Sequence, residues 1–143
     1  MSYGLDGQDV LHFLHPDELE IGIACMHRWL VAGGKVFVLV NSTYLENYKQ
    51  YAPHFEQNKR NGVRWPGWVH DIGLYSSHPT LEFIPKSIHL FDAEVLSRAF
   101  ADGGFEIEIA KEYRRSGLPE SLFNDGRENV MLVAHKVSHV SSY

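Results

Sequence analysis

The stretch Leu30-Val-Ala-Gly-Gly-Lys-Val-Phe-Val-Leu-Val-Asn41 decides the fold. Its second part, Lys35 to Asn41, is apolar on both faces, the pattern of a central parallel strand covered by helices. Gly33-Gly34 just ahead of it is a helix stop. Upstream, Leu19, Ile23, Met26 and Leu30 recur at helical spacing and predict a buried stripe. His15-Pro16-Asp17-Glu18 reads as the start of that helix: Pro16 suits the first helical position, and Asp17, Glu18 and Glu20 complement the positive end of the helix dipole. A helix, a Gly-Gly turn and an apolar strand together make the second half of a β-α-β unit.

Downstream, a second unit of the same kind is visible. Asp92 is placed to cap a helix, with Phe91 before the cap and Leu96 inside it set to form a hydrophobic staple. Val95, Leu96, Ala99 and Phe100 form its inner face, and Gly103-Gly104 ends it. Phe105-Glu-Ile-Glu-Ile-Ala110 alternates strictly, so a strand is expected there with Phe105, Ile107 and Ile109 on one face. A turn region over 116–127 leads to a last strand over 129–135, and the tail 138–143 is expected to fray. Between the two units, 44–55 is expected to be helical. Residues 62–85 hold Pro66, Gly67, Gly73, Pro79 and Pro85, so 43–90 reads as an insertion or lid. The fold class is α/β, a small sheet with two crossovers and a terminal hairpin.

Composition sets bounds on function. The chain has 143 residues, with 44% apolar and 22% charged residues. These values fit one globular domain over 1–143. The formal net charge of -5 argues against a nucleic-acid surface, which carries a basic face. Lys59-Arg60 with Arg64, and Arg114-Arg115, are short clusters that read as solvated surface. One cysteine, Cys25, permits no internal disulfide and points to a reducing compartment. No apolar run has the roughly 20 residues of a membrane span, and no signal peptide is visible, so a cytoplasmic protein is expected.

Three pieces together resemble a class I S-adenosylmethionine (SAM) methyltransferase, a Rossmann-like fold. The first is Val10-Leu-His-Phe-Leu14, followed by a helix and then Leu30-Val-Ala-Gly-Gly-Lys-Val-Phe-Val-Leu39. The second is Leu96 to Ile109, similar to the family's sixth-strand unit. The third is Asp125-Gly-Arg-Glu-Asn-Val-Met-Leu-Val-Ala-His-Lys136, similar to the closing strand that runs antiparallel between strands five and six. The resemblance implies a partial methyltransferase sheet (family strands 5, 6 and 7, the last antiparallel) with flanking helices and an aromatic lid insertion.

The chain departs from the family in one respect. A Gly-rich turn between a strand and a helix, and an acidic residue after the next strand, would hold the cofactor. Both Gly-Gly pairs here follow helices and precede strands, the reverse order. The chain therefore reads as a C-terminal half that lacks the cofactor-binding half and is inactive alone. SAM would be the cofactor of the complete enzyme, with none necessarily bound by this chain. The strand 35–41, deprived of its fourth-strand neighbour, is expected to be an exposed edge, which is a template for another chain. A homodimer or a complementing chain is expected there.

The candidate residues follow from the same resemblance. Val10, Leu11, His12 and Phe13 would lie beside the methyl donor. His12 could position a substrate or act as a base near neutral pH, or be a capping or packing histidine. Asn41 and Tyr44 follow the strand 35–41 at its C-terminal end, where ligands of open α/β sheets bind; an ordinary turn is the other reading. Tyr44, Tyr48, Trp65, Trp68 and Tyr75 would line a lid over a planar small-molecule acceptor, or simply cover the sheet. His70-Asp71 has the composition of a base with an orienting carboxylate, but adjacent residues seldom face each other. The nine histidines show no helical i, i+4 pair, and a metal site is not expected. Two further functions remain open: a non-enzymatic protein-interaction module derived from a methyltransferase fold, and an unrelated α/β enzyme with its active site in the lid.

Overall fold

A computed structural model of the chain describes residues 2–6, 11–76 and 86–137, and for 2–6 and Phe13 the backbone alone. Helix α1 (Pro16–Trp29) starts at a capping box: the His15 ring accepts from Asp17 N, and Glu18 accepts from His15 N. Leu19 and Ile23 on its inner stripe are buried, as is Leu30 just past its end. The chain then turns through Gly33, at φ 80°, where a side chain would be strained, and enters β2 (Lys35–Asn41). Helix α3 (Ala93–Asp102) is capped by Asp92, whose Oδ1 accepts from Val95 N at 2.8 Å.

The main sheet has the order β1 (Ser2–Asp6), β2, β6 (Asn129–Lys136), β5 (Phe105–Tyr113). β1 and β2 are parallel, with α1 in the crossover between them. β6 runs antiparallel to both β2 and β5, and so lies between two strands that point the same way. The core fills one face. Val36, Val38 and Val40 of β2 pair with Ala134, Leu132 and Val130 of β6, and α1 and α3 cover them with Leu19, Ile23, Leu96 and Phe100. Each such aliphatic side chain contributes roughly 1.5–3 kcal/mol by leaving water.

The expected free edge at 35–41 is corrected. Ser2–Asp6 pairs along it in parallel, with Tyr3 opposite Val36 and Leu5 opposite Val38, so β2 has a neighbour on both sides. The sequence Ser2-Tyr-Gly-Leu-Asp6 gives only a weak strand signal: Tyr3 and Leu5 alternate with polar or small residues, but the run is short and Gly and Asp are depleted from strands. Pairing with an apolar neighbour overrides weak local preference. The sheet edges are β1 and β5.

A second correction concerns Ile109. The register slips between Ile107 and Ile109, where a β-bulge takes up Glu108. A one-residue slip turns every later side chain to the other face. Ile107 lies opposite Ala134 on the core face, whereas Ile109 lies opposite Val133 on the outer face and is 47% exposed. On that outer face Phe37 and Leu39 are also exposed, and Met131 is half-buried. Among the described residues no element covers this apolar face, although the sequence of β2 predicts cover on both sides.

The stretch expected to be helical over 44–55 has its helix later, at α2 (Ala52–Arg60), preceded by a short 3-10 turn at Glu46–Tyr48. Two short strands, β3 (Trp68–Val69) and β4 (Ile88–His89), pair antiparallel beyond it. The described part of 43–90 is a packed layer: Tyr44, Leu45, Tyr48, Tyr51, Phe55, Val69, Ile72, Ile88 and Leu90 are all buried. Lys59 holds α2 against α3, with Nζ 2.6 Å from the Asp92 carboxylate.

Candidate functional site

The site expected from open α/β sheets is the C-terminal end of β1 and β2. Here the chain after β1 forms a 3-10 turn at Leu11–Phe13. Leu11 and His12 are buried there, at 3% and 2% exposure. Both nitrogens of His12 are bonded. Nδ1–H donates to the carbonyl oxygen of His89 at 2.8 Å, and Nε2 accepts from the backbone N–H of Asn41 at 3.0 Å. A backbone N–H can only donate, so the tautomer is fixed with the proton on Nδ1. The ring ties the turn after β1 to the end of β2 and to β4. Val10 lies outside the described residues, as does the tail 138–143.

Asn41 and its neighbours are equally committed. The Asn41 side chain accepts from Asn129 Nδ2 at 3.2 Å, Ser42 N donates to Glu128 O at 2.8 Å, and Thr43 N donates to Phe91 O at 2.9 Å. Tyr44 donates its hydroxyl to Glu56, and the Arg127 guanidinium lies 3.8 Å from its ring centroid. Burial, then Glu56, pushes the Tyr44 phenol well above its ordinary range, and burial pushes Tyr48 up to about 12. Both phenols stay protonated at neutral pH.

Glu128 organises the loop that flanks this end of the sheet. Its carboxylate is fully buried and accepts from Arg114 Nε at 2.8 Å, Asn124 N at 2.9 Å and Gly126 N at 2.6 Å. Burial alone would raise its pKa; Arg114 and the two backbone amides outweigh it and hold the carboxyl at about 2.

His89 is the residue that sequence reasoning passed over. It is fully buried, and neither ring nitrogen has a hydrogen-bond partner among the described residues. Its ring stacks on Phe91 at 4.4 Å and meets Trp65 and Trp68 edge-on at 5.2 and 5.9 Å. Burial, and then the neighbouring His12, Arg98 and His15, pull its pKa down to about 3. The apolar flanks of Ile88-His89-Leu90-Phe91 are the one signal in the sequence that could have marked it.

Beyond this seam lies an open cleft of about 320 Å³. Tyr51 and Asn58 of the α2 region, Trp68 and His70 at β3, and Asp71 and Tyr75 of the following 3-10 turn line it. Trp68 is a shared wall, since its ring also meets His15 at 5.1 Å. Of the aromatic residues expected to act together, Trp68 and Tyr75 are brought to this cleft, while Tyr44 and Tyr48 are in the core. Trp65 lies elsewhere, beside a smaller hollow of about 180 Å³ between α1 and α3. The mouth of that hollow is bridged by Arg64 to Glu20 and Asp102 at 3.5 and 3.7 Å.

A SAM-dependent methyltransferase from Methanosarcina mazei superposes on 96% of this chain with a TM-score of 0.59 at 16% identity. The fold is methyltransferase-like. A putative SAM-dependent methyltransferase from Listeria monocytogenes aligns over 94% of the chain with a TM-score of 0.49 at 12% identity. The chain spans 59% of the length of each of these structures. No protein-family model and no curated protein matches it.

Of the residues expected beside the methyl donor, Leu11 and His12 are the two whose side chains the structure describes. Leu11 is turned into the core, and both ring nitrogens of His12 are engaged by His89 and Asn41. Among the described residues no helix is long and apolar enough to cross a membrane.

Proposed function

We propose that this chain forms the acceptor-side part of a SAM-dependent methyltransferase acting on a small molecule, with the cofactor cradle supplied by a complementing part. The observation that carries this reading is the placement of β6 antiparallel between β2 and β5 in a sheet that superposes on a SAM-dependent methyltransferase over nearly its whole length. The open apolar face at Phe37, Leu39 and Ile109, together with the outer edge of β1, is where the complementing part packs. Methyl transfer from SAM needs little catalytic apparatus from such a half. The donor brings the activated methyl group, and the protein orients the acceptor and excludes water.

The same open face favours a second reading, a non-enzymatic module that binds a protein there. Calorimetry with SAM separates the two when done on this chain and on a protein extended along the coding DNA upstream of the Met1 codon. The methyltransferase reading expects no SAM binding by the chain alone. It expects binding once an in-frame strand, Gly-rich turn and helix are added. Tight SAM binding by the chain alone would overturn it. Coding DNA without such elements would favour the binding module.

A further inference from the structure

The cleft beside β3 has a chemistry of its own. Its floor is Tyr51, 4% exposed, with its hydroxyl turned inward to donate to Pro66 O at 2.8 Å. Tyr75 stands against Tyr51 at 80°, ring centroids 4.9 Å apart, so the two rings form a corner. Trp68, half-buried, adds a third aromatic wall. Among the described residues the lining carries one carboxylate, Asp71, and no Lys or Arg. Asp71 Oδ1 accepts from Gly73 N at 3.0 Å, which fixes the carboxylate at the head of the 3-10 turn Ile72–Leu74 and leaves Oδ2 for a ligand.

We infer that this cleft binds a small organic cation with an alkylated ammonium head. Ring faces carry negative potential and attract cations within about 6 Å of their centroids, most strongly those that shed water easily. An alkylated ammonium fits on both counts: its methyl groups pack against Trp68 and Tyr75, and its charge is met by Asp71. An anion would face the Asp71 carboxylate with no Lys or Arg among the described lining residues to offset it. A neutral planar ring would find the stacking surface but leave Asp71 unused. A volume of about 320 Å³ suits a small head group, near the low end of ligand pockets at roughly 300–1,000 Å³. The inference goes beyond methyl transfer and stands whether or not the chain takes part in it.

The test is calorimetric titration of the purified chain with choline and with its uncharged carbon isostere, 3,3-dimethyl-1-butanol. Choline is expected to bind at least about tenfold more tightly, the equivalent of one cation–π contact in a partly dry site. Asp71→Asn keeps the bond to Gly73 and removes the charge, and it should weaken choline several-fold while leaving the isostere unaffected. Trp68→Ala, with folding checked by circular dichroism, should weaken both. Equal binding of the two probes, absence of choline binding, or choline binding indifferent to Asp71→Asn would each overturn the inference.

Discussion

The backbone N–H of Asn41 donates to Nε2 of His12 at 3.0 Å, across 29 residues of chain. Because the same ring donates from Nδ1 to His89, one imidazole joins the end of β2, the turn after β1 and strand β4. Removing the ring strands a buried N–H and a buried carbonyl and leaves a cavity. His12→Ala is expected to cost about 3–5 kcal/mol, read from urea unfolding of both proteins. Heteronuclear NMR of the wild type should show the proton on Nδ1. A loss under about 0.5 kcal/mol would remove the structural role.

His89 makes stability acid-sensitive. Its pKa is about 3 in the folded chain against 6.5 in the unfolded one, so only the unfolded state takes up a proton between those values. The contribution is fully present above pH 6.5 and is lost as pH falls toward 3. Near pH 5 the loss is about 2 kcal/mol. Urea unfolding at pH 7 and pH 5 should therefore show a larger drop for the wild type than for His89→Phe, which has nothing to protonate. Equal drops would mean that His89 is solvated or charged in the native state.

Glu128 acts in a lower window. Its folded pKa of about 2 lies below the ordinary 4.5, so its contribution is present above pH 4.5 and lost as pH falls toward 2. Glu128→Gln removes the charge that meets Arg114 and the Asn124 and Gly126 amides, and should lower stability at pH 7. The variant's unfolding free energy should also fall less steeply below pH 4.5. Thermal and urea unfolding across that range would check both.

The outer sheet face should be adhesive without being structural. Ile109→Lys removes apolar surface that is already in water, so stability should change by no more than about 0.5 kcal/mol. Binding of an apolar fluorescent dye should fall clearly. A large loss of stability would mean that Ile109 is packed, and that the bulge at Glu108 is misplaced.

Much of the frame was legible because local and global preferences agree in it. The capping box at His15, the stripe from Leu19 to Leu30, the Gly33 turn and the Asp92 cap each announce themselves within a few residues. What escaped depended on partners far away in the chain. β1 carries only a two-residue alternation, Tyr3 and Leu5, and depends on its pairing with Val36 and Val38. The bulge at Glu108 is invisible in Phe105-Glu-Ile-Glu-Ile-Ala110, since alternation looks the same until one residue is skipped. The site was harder still. The sequence places His12 and Asn41 near strand ends, but it cannot show that the His12 ring joins the Asn41 amide to the His89 carbonyl. Asp71 drew little weight beside His70, because sequence could not show that Trp68, Tyr51 and Tyr75 converge on it.

The position of β6 governs how the molecule can be made. In the described sheet β2 and β5 do not pair with each other, and Asn129–Lys136 joins them. During synthesis, at about 5–20 residues per second, β2 emerges with an unfilled side well before the strand that fills it, and β5 emerges only shortly before it. Until residue 129 follows, the nascent chain holds two adhesive ribbons with nothing of its own to zip them together. A chain that ends before Asn129 would leave the inner side of β2 without its partner strand.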